Sequence, residues 1–364
     1  MKVPGSRTLL GISGRIFGKK IPKDWLPYSH LYIRSENSNW VLDSIKMEMT
    51  EVCKKISIPL IDQKYSHKLK NQCIFFTSKY DALNHIKNVN NKIAFPMFHG
   101  NPENDVKFKY HFNLLSKFHD NVDRIQVSNS FMKSVVLDTG IDKSKVFQIP
   151  ISVDIDSFPF VTSRIEKSMI KEKLGFSKNS FLIGSFQKDG QGWGRGDRPK
   201  LIKGPDIFIE VIGALKSLYP NIEVLLTGPA RGYVKKELRN LNVKYRHTNL
   251  DDFERIASYY QALDMYLVSS REEGGPRSIL ESMASGVPLV TTRVGQAIDL
   301  VEHKRNGWMI DVGDIDGLIQ WSKYVIENSD KIDEIVYEGR STAMKNSYQA
   351  QLPLWKDFMT GFVV

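Results

Sequence analysis

The sequence predicts an α/β protein of two similar halves, each an open parallel sheet covered by helices. Three observations carry this. Short apolar runs recur along the chain with helix-length segments between them, the alternation of a sheet buried on both faces. At 364 residues the chain is long enough for two domains of ordinary size. The alternation also halts at Pro150–Pro159 (PISVDIDSFP) and then restarts.

The elements follow in order. The first ~28 residues mix glycine, proline and basic side chains and read as irregular. His30–Arg34 reads as a strand, followed by the turn SENSN (Ser35–Asn39) and a helix from Trp40 to Ile56. Cys73–Thr77, Ile93–Phe98, Arg124–Ser128 and Val146–Ile149 continue the first half as buried strands with helices between. In the second half, strands fall at Phe181–Phe186, Glu223–Thr227, Lys244–Arg246, Met265–Val268, Leu289–Thr291 and Gly307–Met309. Helices fall at 205–218, 231–240, 252–262, 276–285, 314–327 and 330–347.

Composition narrows the class. Hydrophobic content of 41% and charged content of 25% are those of a soluble globular chain. No apolar run reaches the length of a membrane-spanning helix, and Thr8–Ser13 is too short a run, cut by Arg15, for a secretory signal. Cys53 and Cys73 alone give neither a disulfide framework nor a zinc pattern, so a reducing cytoplasmic setting is expected. The charge is one-sided. Residues 1–150 carry 23 Lys and Arg against 13 Asp and Glu, whereas residues 151–364 carry 28 of each. Such a half suits an anionic partner: a membrane surface, a lipid-phosphate acceptor or an acidic glycan. A general lysine-rich bias is the other reading. No nucleic-acid-binding motif accompanies the charge.

The chemistry concentrates in SREEGGPRSILESMASGVPLVTT (Ser270–Thr292). Pro276 is placed as a first helical residue, where its missing N–H costs nothing. The helix that follows buries Ile279, Leu280, Met283 and Ala284 and leaves Ser278, Glu281 and Ser285 on another face. Gly274 and Gly275 allow close approach of the backbone to a ligand, and free N–H groups at the helix start attract anionic oxygens. A carboxylate on each side of such a helix end, Glu273 before it and Glu281 within it, suits hydroxyl groups flanking a diphosphate. A nucleotide-sugar has that form.

This segment resembles the signature of glycosyltransferase family 4, the retaining, group 1 glycosyltransferases of GT-B fold. The resemblance implies two Rossmann-like domains facing each other across a cleft: 1–150 on the acceptor side, 151–340 binding the donor, and a C-terminal helix, 341–364, packing back on the first domain. It implies that Glu273 contacts the transferred sugar, that Glu281 holds the ribose, and that Gly274, Gly275, Pro276, Arg277 and Ser278 line the donor. Glu272 competes for the register but breaks the spacing.

After Phe181–Phe186 comes QKDGQGWGRGDRPKLIKGPDIFIEV, where Gly190, Gly192, Gly194 and Gly196 make a mobile loop rather than a helix. The family places a Gly-Arg after this strand and a Lys-Gly before the next helix, two cations that grip the diphosphate. Lys203-Gly204 matches the second. The first is absent, since the strand ends Gly184-Ser185-Phe186, and Lys188 or Arg198 takes its place. His99, just past strand Ile93–Phe98, matches the family's cleft histidine and would touch the donor sugar or its phosphate. The amides of Ser35–Asn39 could also face the diphosphate, although Asn and Ser at a helix start are ordinary caps. Nucleobase contacts are expected near Gly228-Pro229 and Thr248–Leu250.

Asp154-Ile-Asp156 matches a metal-binding D-x-D pattern but lies in the linker, and the family holds its diphosphate without metal. The expected activity is therefore transfer of a hexosyl group from a nucleotide-sugar to a hydroxyl acceptor (glycan, lipid-linked or protein), with retention and no cofactor or metal. The alternative is a non-catalytic nucleotide-sugar- or glycan-binding subunit of the same fold. Other enzymes of that architecture, an epimerase or a glycan phosphorylase, fit less well, the latter needing a pyridoxal lysine and a longer chain.

Overall fold

The computed structural model describes residues 26–35, 41–62, 69–87, 90–103, 106–250 and 256–364. Its first sheet is formed by β1 (Leu31–Arg34), β2 (Cys73–Phe76), β3 (Lys92–Pro96), β4 (Arg124–Val127) and β5 (Val146–Gln148). Between them run α1 (Val41–Lys55), α2 (Lys79–His85), α3 (Val106–Phe118) and α4 (Ser130–Leu137). These strands are parallel and lie side by side in chain order.

After the linker, α5 (Arg164–Lys173) leads into β6 (Phe181–Phe186), α6 (Pro205–Leu218), β7 (Ile222–Thr227), α7 (Gly232–Asn240) and β8 (Lys244–Thr248). Then come α8 (Ile256–Gln261), β9 (Met265–Val268), α9 (Arg277–Ala284), β10 (Leu289–Thr292), α10 (Ala297–Leu300) and β11 (Trp308–Ile310). The second sheet has the order β8-β7-β6-β9-β10-β11, all parallel. Winding therefore reverses between β6 and β9, and a doubly wound sheet opens its ligand crevice at such a switch point. The first sheet has no reversal among its described strands.

Alternation along the strands sorts the cores. Ile74 and Phe76 of β2 join the cluster under α2, α3 and α4, whereas Cys73 and Phe75 face the opposite layer with Trp355, Phe358 and Phe362. In the second sheet Met265 and Leu267 point to the α6–α7 side, and Tyr266 and Val268 to the α8–α9 side. Burial pushes the Cys53 and Cys73 thiols up to about 12, so neither is reactive.

The chain ends in α11 (Ile315–Glu327), α12 (Asp333–Lys345) and α13 (Leu352–Met359), and α13 packs on the first sheet. Trp355 and Phe358 meet Phe75 edge-on, Phe358 meets Phe147, and Arg124 donates to the carbonyls of Phe358 and Thr360. The two crossings between the sheets run side by side: Val153 N–H donates to Asn346 O and Tyr348 N–H to Val153 O. Asp154 accepts from Ser157 Oγ at 2.7 Å within its own turn.

Two helices, α5 and α10, are not evident in the sequence pattern, whereas the helix expected within 341–364 is α13; 1–25, 36–40 and 251–255 lie outside the described residues. No helix among those described is long and apolar enough to cross a membrane.

Candidate active site

The loops after β6 and β9 flank the switch point, and they are zipped together. Arg271 grips Asp206 of α6 through both carboxylate oxygens (2.7 and 2.8 Å) and donates to Leu201 O, while the Arg271 and Glu272 amides donate to Ile202 O. Gly204 is essential to this closeness. It is left-handed (φ 60°), and a Cβ there would lie 1.9 Å from Ser269 O.

This brings together the two residues that the motif spacing singled out. Lys203 Nζ donates to Glu273 Oε2, and Ser270 Oγ donates to Glu273 Oε1 at 2.9 Å. Around the pair lie further cations. Lys200 is held below its ordinary pKa by partial burial and by Lys203 and Lys188. Lys188 is itself lowered by burial and stands 3.7 Å over the Trp193 ring. Arg198 is exposed, and its carbonyl accepts the Gln191 N–H within the loop. Of the two alternatives for the second cation, Lys188 is the one coupled to the cluster. Lys200 is not marked by any motif; its coupling to Lys203 and Lys188 shows only once the loop is folded.

From the first domain, His99 borders the same cleft, its ring edge-on to Phe108 at 5.7 Å. His99 is exposed as a whole residue, yet its ring is crowded by protein on the side of Phe108 and the lysines. That desolvation, with Lys79, Lys203 and Lys200 nearby, pushes its pKa down to about 3. His99 is therefore neutral at physiological pH. Lys79, buried under Phe108 and Tyr80, donates to His99 O and falls to about 8 through burial, countered by Glu272. Glu272 in turn accepts from Asn101 N–H at 3.1 Å. It is a bridge to the first domain.

α9 departs from expectation in three ways. Pro276 is its cap, with an extended ψ of 115°, and Ile279 N–H donates to Pro276 O. Glu281 is on the buried side, 4% exposed, accepting from Tyr260 OH at 2.8 Å. Burial raises its pKa against the pull of Arg277 and the Tyr260 hydrogen bond. Ser285 is likewise buried, while Ser278 bonds Tyr266. Arg277 reaches Glu48 of α1 at 2.9 Å, which holds its pKa up against the cost of burial. It serves the domain interface.

The glycine pair approaches protein more closely than open cleft. A Cβ on Gly274 would meet Phe98 O at 2.7 Å, and one on Gly275 would meet Ile151 at 2.7 Å. Gly274 O accepts from Ser128 Oγ and Asn129 Nδ2. Among the described residues the N–H groups of Gly274, Gly275, Arg277 and Ser278 have no protein acceptor, as befits an open helix start. The glycine loop is no open coil. Gly190 and Pro199 form an antiparallel bridge, with Gln191 N–H bonded to Arg198 O and Lys200 N–H to Asp189 O. Near Gly228-Pro229, His247 bonds Gly228 O at 2.7 Å. The turn Ser35–Asn39 lies outside the described residues beyond Ser35.

Residues 198–342 match the family model described as glycosyl transferases group 1. This part of the chain is a group 1 glycosyl transferase domain. The transferase domain contains Lys203, Glu273 and Glu281, and the Gly190–Pro199 hairpin lies almost wholly ahead of the match. Among curated proteins, an Escherichia coli UDP-Gal:alpha-D-GlcNAc-diphosphoundecaprenol alpha-1,3-galactosyltransferase is 27% identical over 216 residues, 57% of this chain and 51% of that protein. A D-inositol 3-phosphate glycosyltransferase of Xylanimonas cellulosilytica is 27% identical over 183 residues, 47% of this chain and 40% of that protein. The chain thus spans about half the length of the curated relatives it matches. Anabaena HepE, solved with UDP and glucose, superposes with a TM-score of 0.71 at 17% identity, covering 91% of this chain and 99% of that one. The transferase domain and its partner domain together have the GT-B fold.

Proposed function

We propose that this protein transfers a hexosyl group from a nucleoside diphosphate sugar to a hydroxyl on a glycan or lipid-linked acceptor, retaining the anomeric configuration without a metal. The observation that carries this is the Lys203–Glu273 pair at the β6/β9 switch point, beside Lys200, Lys188 and the open N–H groups of α9. A diphosphate placed there meets the charge it needs from lysines and helix amides. Glu273 then faces the sugar, and Glu281 the ribose. The anomeric C–O bond to phosphate breaks as the acceptor oxygen attacks from the same face. The departing phosphate oxygen takes the acceptor proton, and binding energy supplies the alignment. Neutral His99 offers a hydrogen bond to the sugar or phosphate without adding to the positive charge.

The matched relatives support the class. One is named for UDP-Gal and a diphosphoundecaprenol-linked acceptor, and HepE is solved with UDP-glucose. The positive excess in residues 1–150 favours an anionic acceptor or membrane surface. A thermal-shift screen of UDP, GDP, ADP and their sugars on wild type, Lys203→Ala and Glu281→Ala tests the donor site. Stabilisation by one nucleotide that both variants lose supports it; no stabilisation by any removes it. Binding without sugar release or transfer identifies a non-catalytic subunit instead. Co-sedimentation with anionic vesicles at low and high salt tests the surface, and no binding at low salt excludes it.

A further inference from the structure

Residues 187–200 separate β6 from the 3-10 turn Leu201–Lys203, where strand-to-helix connections usually take about 2–6 residues. This extra length is built rather than loose. A Cβ on Gly190 or Gly196 would lie 2.2 or 2.1 Å from Ala230 O, so both glycines sit flush on the loop after β7. Gly232 N–H donates to Arg195 O and Tyr233 N–H to Gly196 O. Beneath the base, Asp189 meets the fully buried Arg231 at 3.0 Å, and Arg231 also donates to the carbonyls of Ser185, Gln187 and Thr227.

On this fixed base the tip carries Gly192-Trp193-Gly194. No heavy atom lies within 4 Å of a Cβ built on either glycine, and Trp193 is 68% exposed with the Lys188 ammonium over its ring. A large apolar ring held mostly exposed on a fixed arm beside a cluster of cations is placed where a ligand can reach it. Its placement is informative. In the sheet order β9-β6-β7-β8, Glu273 stands after β9, whereas the hairpin docks after β7, on the opposite side of the Lys203 loop. A nucleotide-sugar lying across the switch point with its sugar at Glu273 extends its nucleoside toward the hairpin.

We infer that Trp193, carried on the 190–199 hairpin, is a stacking platform for the nucleobase of the donor. This rests on the donor reading above and adds to it the residue that holds the base. The indole offers a π-face to any base, and Lys188 brings a cation to the same place, close to the nucleotide's α-phosphate.

Calorimetric titration of UDP, GDP, ADP, CDP, dTDP and inorganic pyrophosphate into wild type, Trp193→Ala and Trp193→Phe tests it. The nucleotide that binds wild type should lose about ten- to hundredfold in affinity in Trp193→Ala, since one stacked base contributes that much. Trp193→Phe should recover most of the loss, and pyrophosphate should bind all three alike. Unchanged nucleotide affinity in Trp193→Ala overturns the platform while leaving the donor site standing. An equal loss for pyrophosphate also overturns it, because the hairpin would then act on the diphosphate. If none of these nucleotides binds wild type, the donor reading falls and takes the platform with it.

Discussion

Lys203 and Glu273 come from different loops, so their ion pair exists only when both loops are in place. In the donor complex proposed above, Lys203 is the cation paired with the carboxylate assigned to the sugar. Lys203→Ala should lower kcat by about 10²–10³-fold, the cost of removing one pre-placed charge-stabilising donor, with little change in melting temperature. Initial rates with the identified donor measure this, and a loss confined to KM would show that Lys203 merely binds. Lys79 makes a different prediction. Its pKa is about 8 in the folded protein against about 10.4 unfolded, so between those values the unfolded chain binds more protons. Stability then rises with pH across that window, from a full penalty below pH 8. Lys167, also at about 8, and the two cysteines titrate in wild type and variant alike. The difference between wild type and Lys79→Met therefore isolates Lys79. Urea titrations from pH 7 to 10.5 should show wild type gaining on the variant, and a flat difference would refute the buried cation. Glu273 and Lys203-Gly204 were legible because their signal is local spacing, whereas Glu281 was legible as a motif position but not as a buried side chain. Lys79 and Arg277 were not: Arg277 finds Glu48 across 229 residues, and no window of sequence contains both.

Strand–helix alternation was legible wherever a helix turns an apolar stripe inward, as α6 does with Ile207, Phe208, Val211, Ile212 and Leu215. α5 (RIEKSMIKEK) was not, for a physical reason. Its inward face is made of lysine stems: Lys167 donates to Leu263 O and Gly286 O, and Lys171 pairs with Asp264. An apolar period is missing because the buried surface is methylene with a charged tip. The hairpin was legible only as a glycine-rich loop, since what stiffens it is the backbone of Ala230. The turn at Gly204 gives this scale its test. Its φ of 60° and the 1.9 Å approach to Ser269 O leave no room for a methyl group. Gly204→Ala should cost at least about 1–3 kcal/mol in strain and should also depress activity, because Lys203 moves with the turn. Gly192→Ala is the control: φ is 72°, but nothing lies within 4 Å, so it should cost about 1 kcal/mol and leave kcat intact. Denaturant midpoints and rates on the two variants separate steric clash from the left-handed backbone alone.

At the scale of the molecule, the site is assembled by contact between sheets. Ser128 and Asn129 hold the carbonyl of Gly274, Asp299 accepts from Ser130 N–H, Ser130 Oγ and Gln148, and Glu48 pairs with Arg277 beside Ser152 of the linker. The last helix adds a second tie. Phe358 fills the layer beneath Phe75 and Phe147, so Phe358→Ala should cost about 3–5 kcal/mol, felt by the first sheet. Hydrogen exchange should quicken in β2 and stay slow in β7, and equal quickening would mean that the two halves unfold as one. The Glu48–Arg277 pair tests the interface itself. Both partners are largely buried, and Arg277 Nε already lacks an acceptor. Glu48→Ala leaves the buried guanidinium with Tyr348 and the charge of Glu281 but without its ion-pair partner, and should destabilise by about 3 kcal/mol, whereas Glu48→Met with Arg277→Met should regain most of it. Recovery of stability without recovery of activity would show that the pair sets the approach of the two domains. The Glu273 loop, gripped by Ser128 and Asn129 on one side and zipped to the Lys203 loop on the other, is where a changed approach must register.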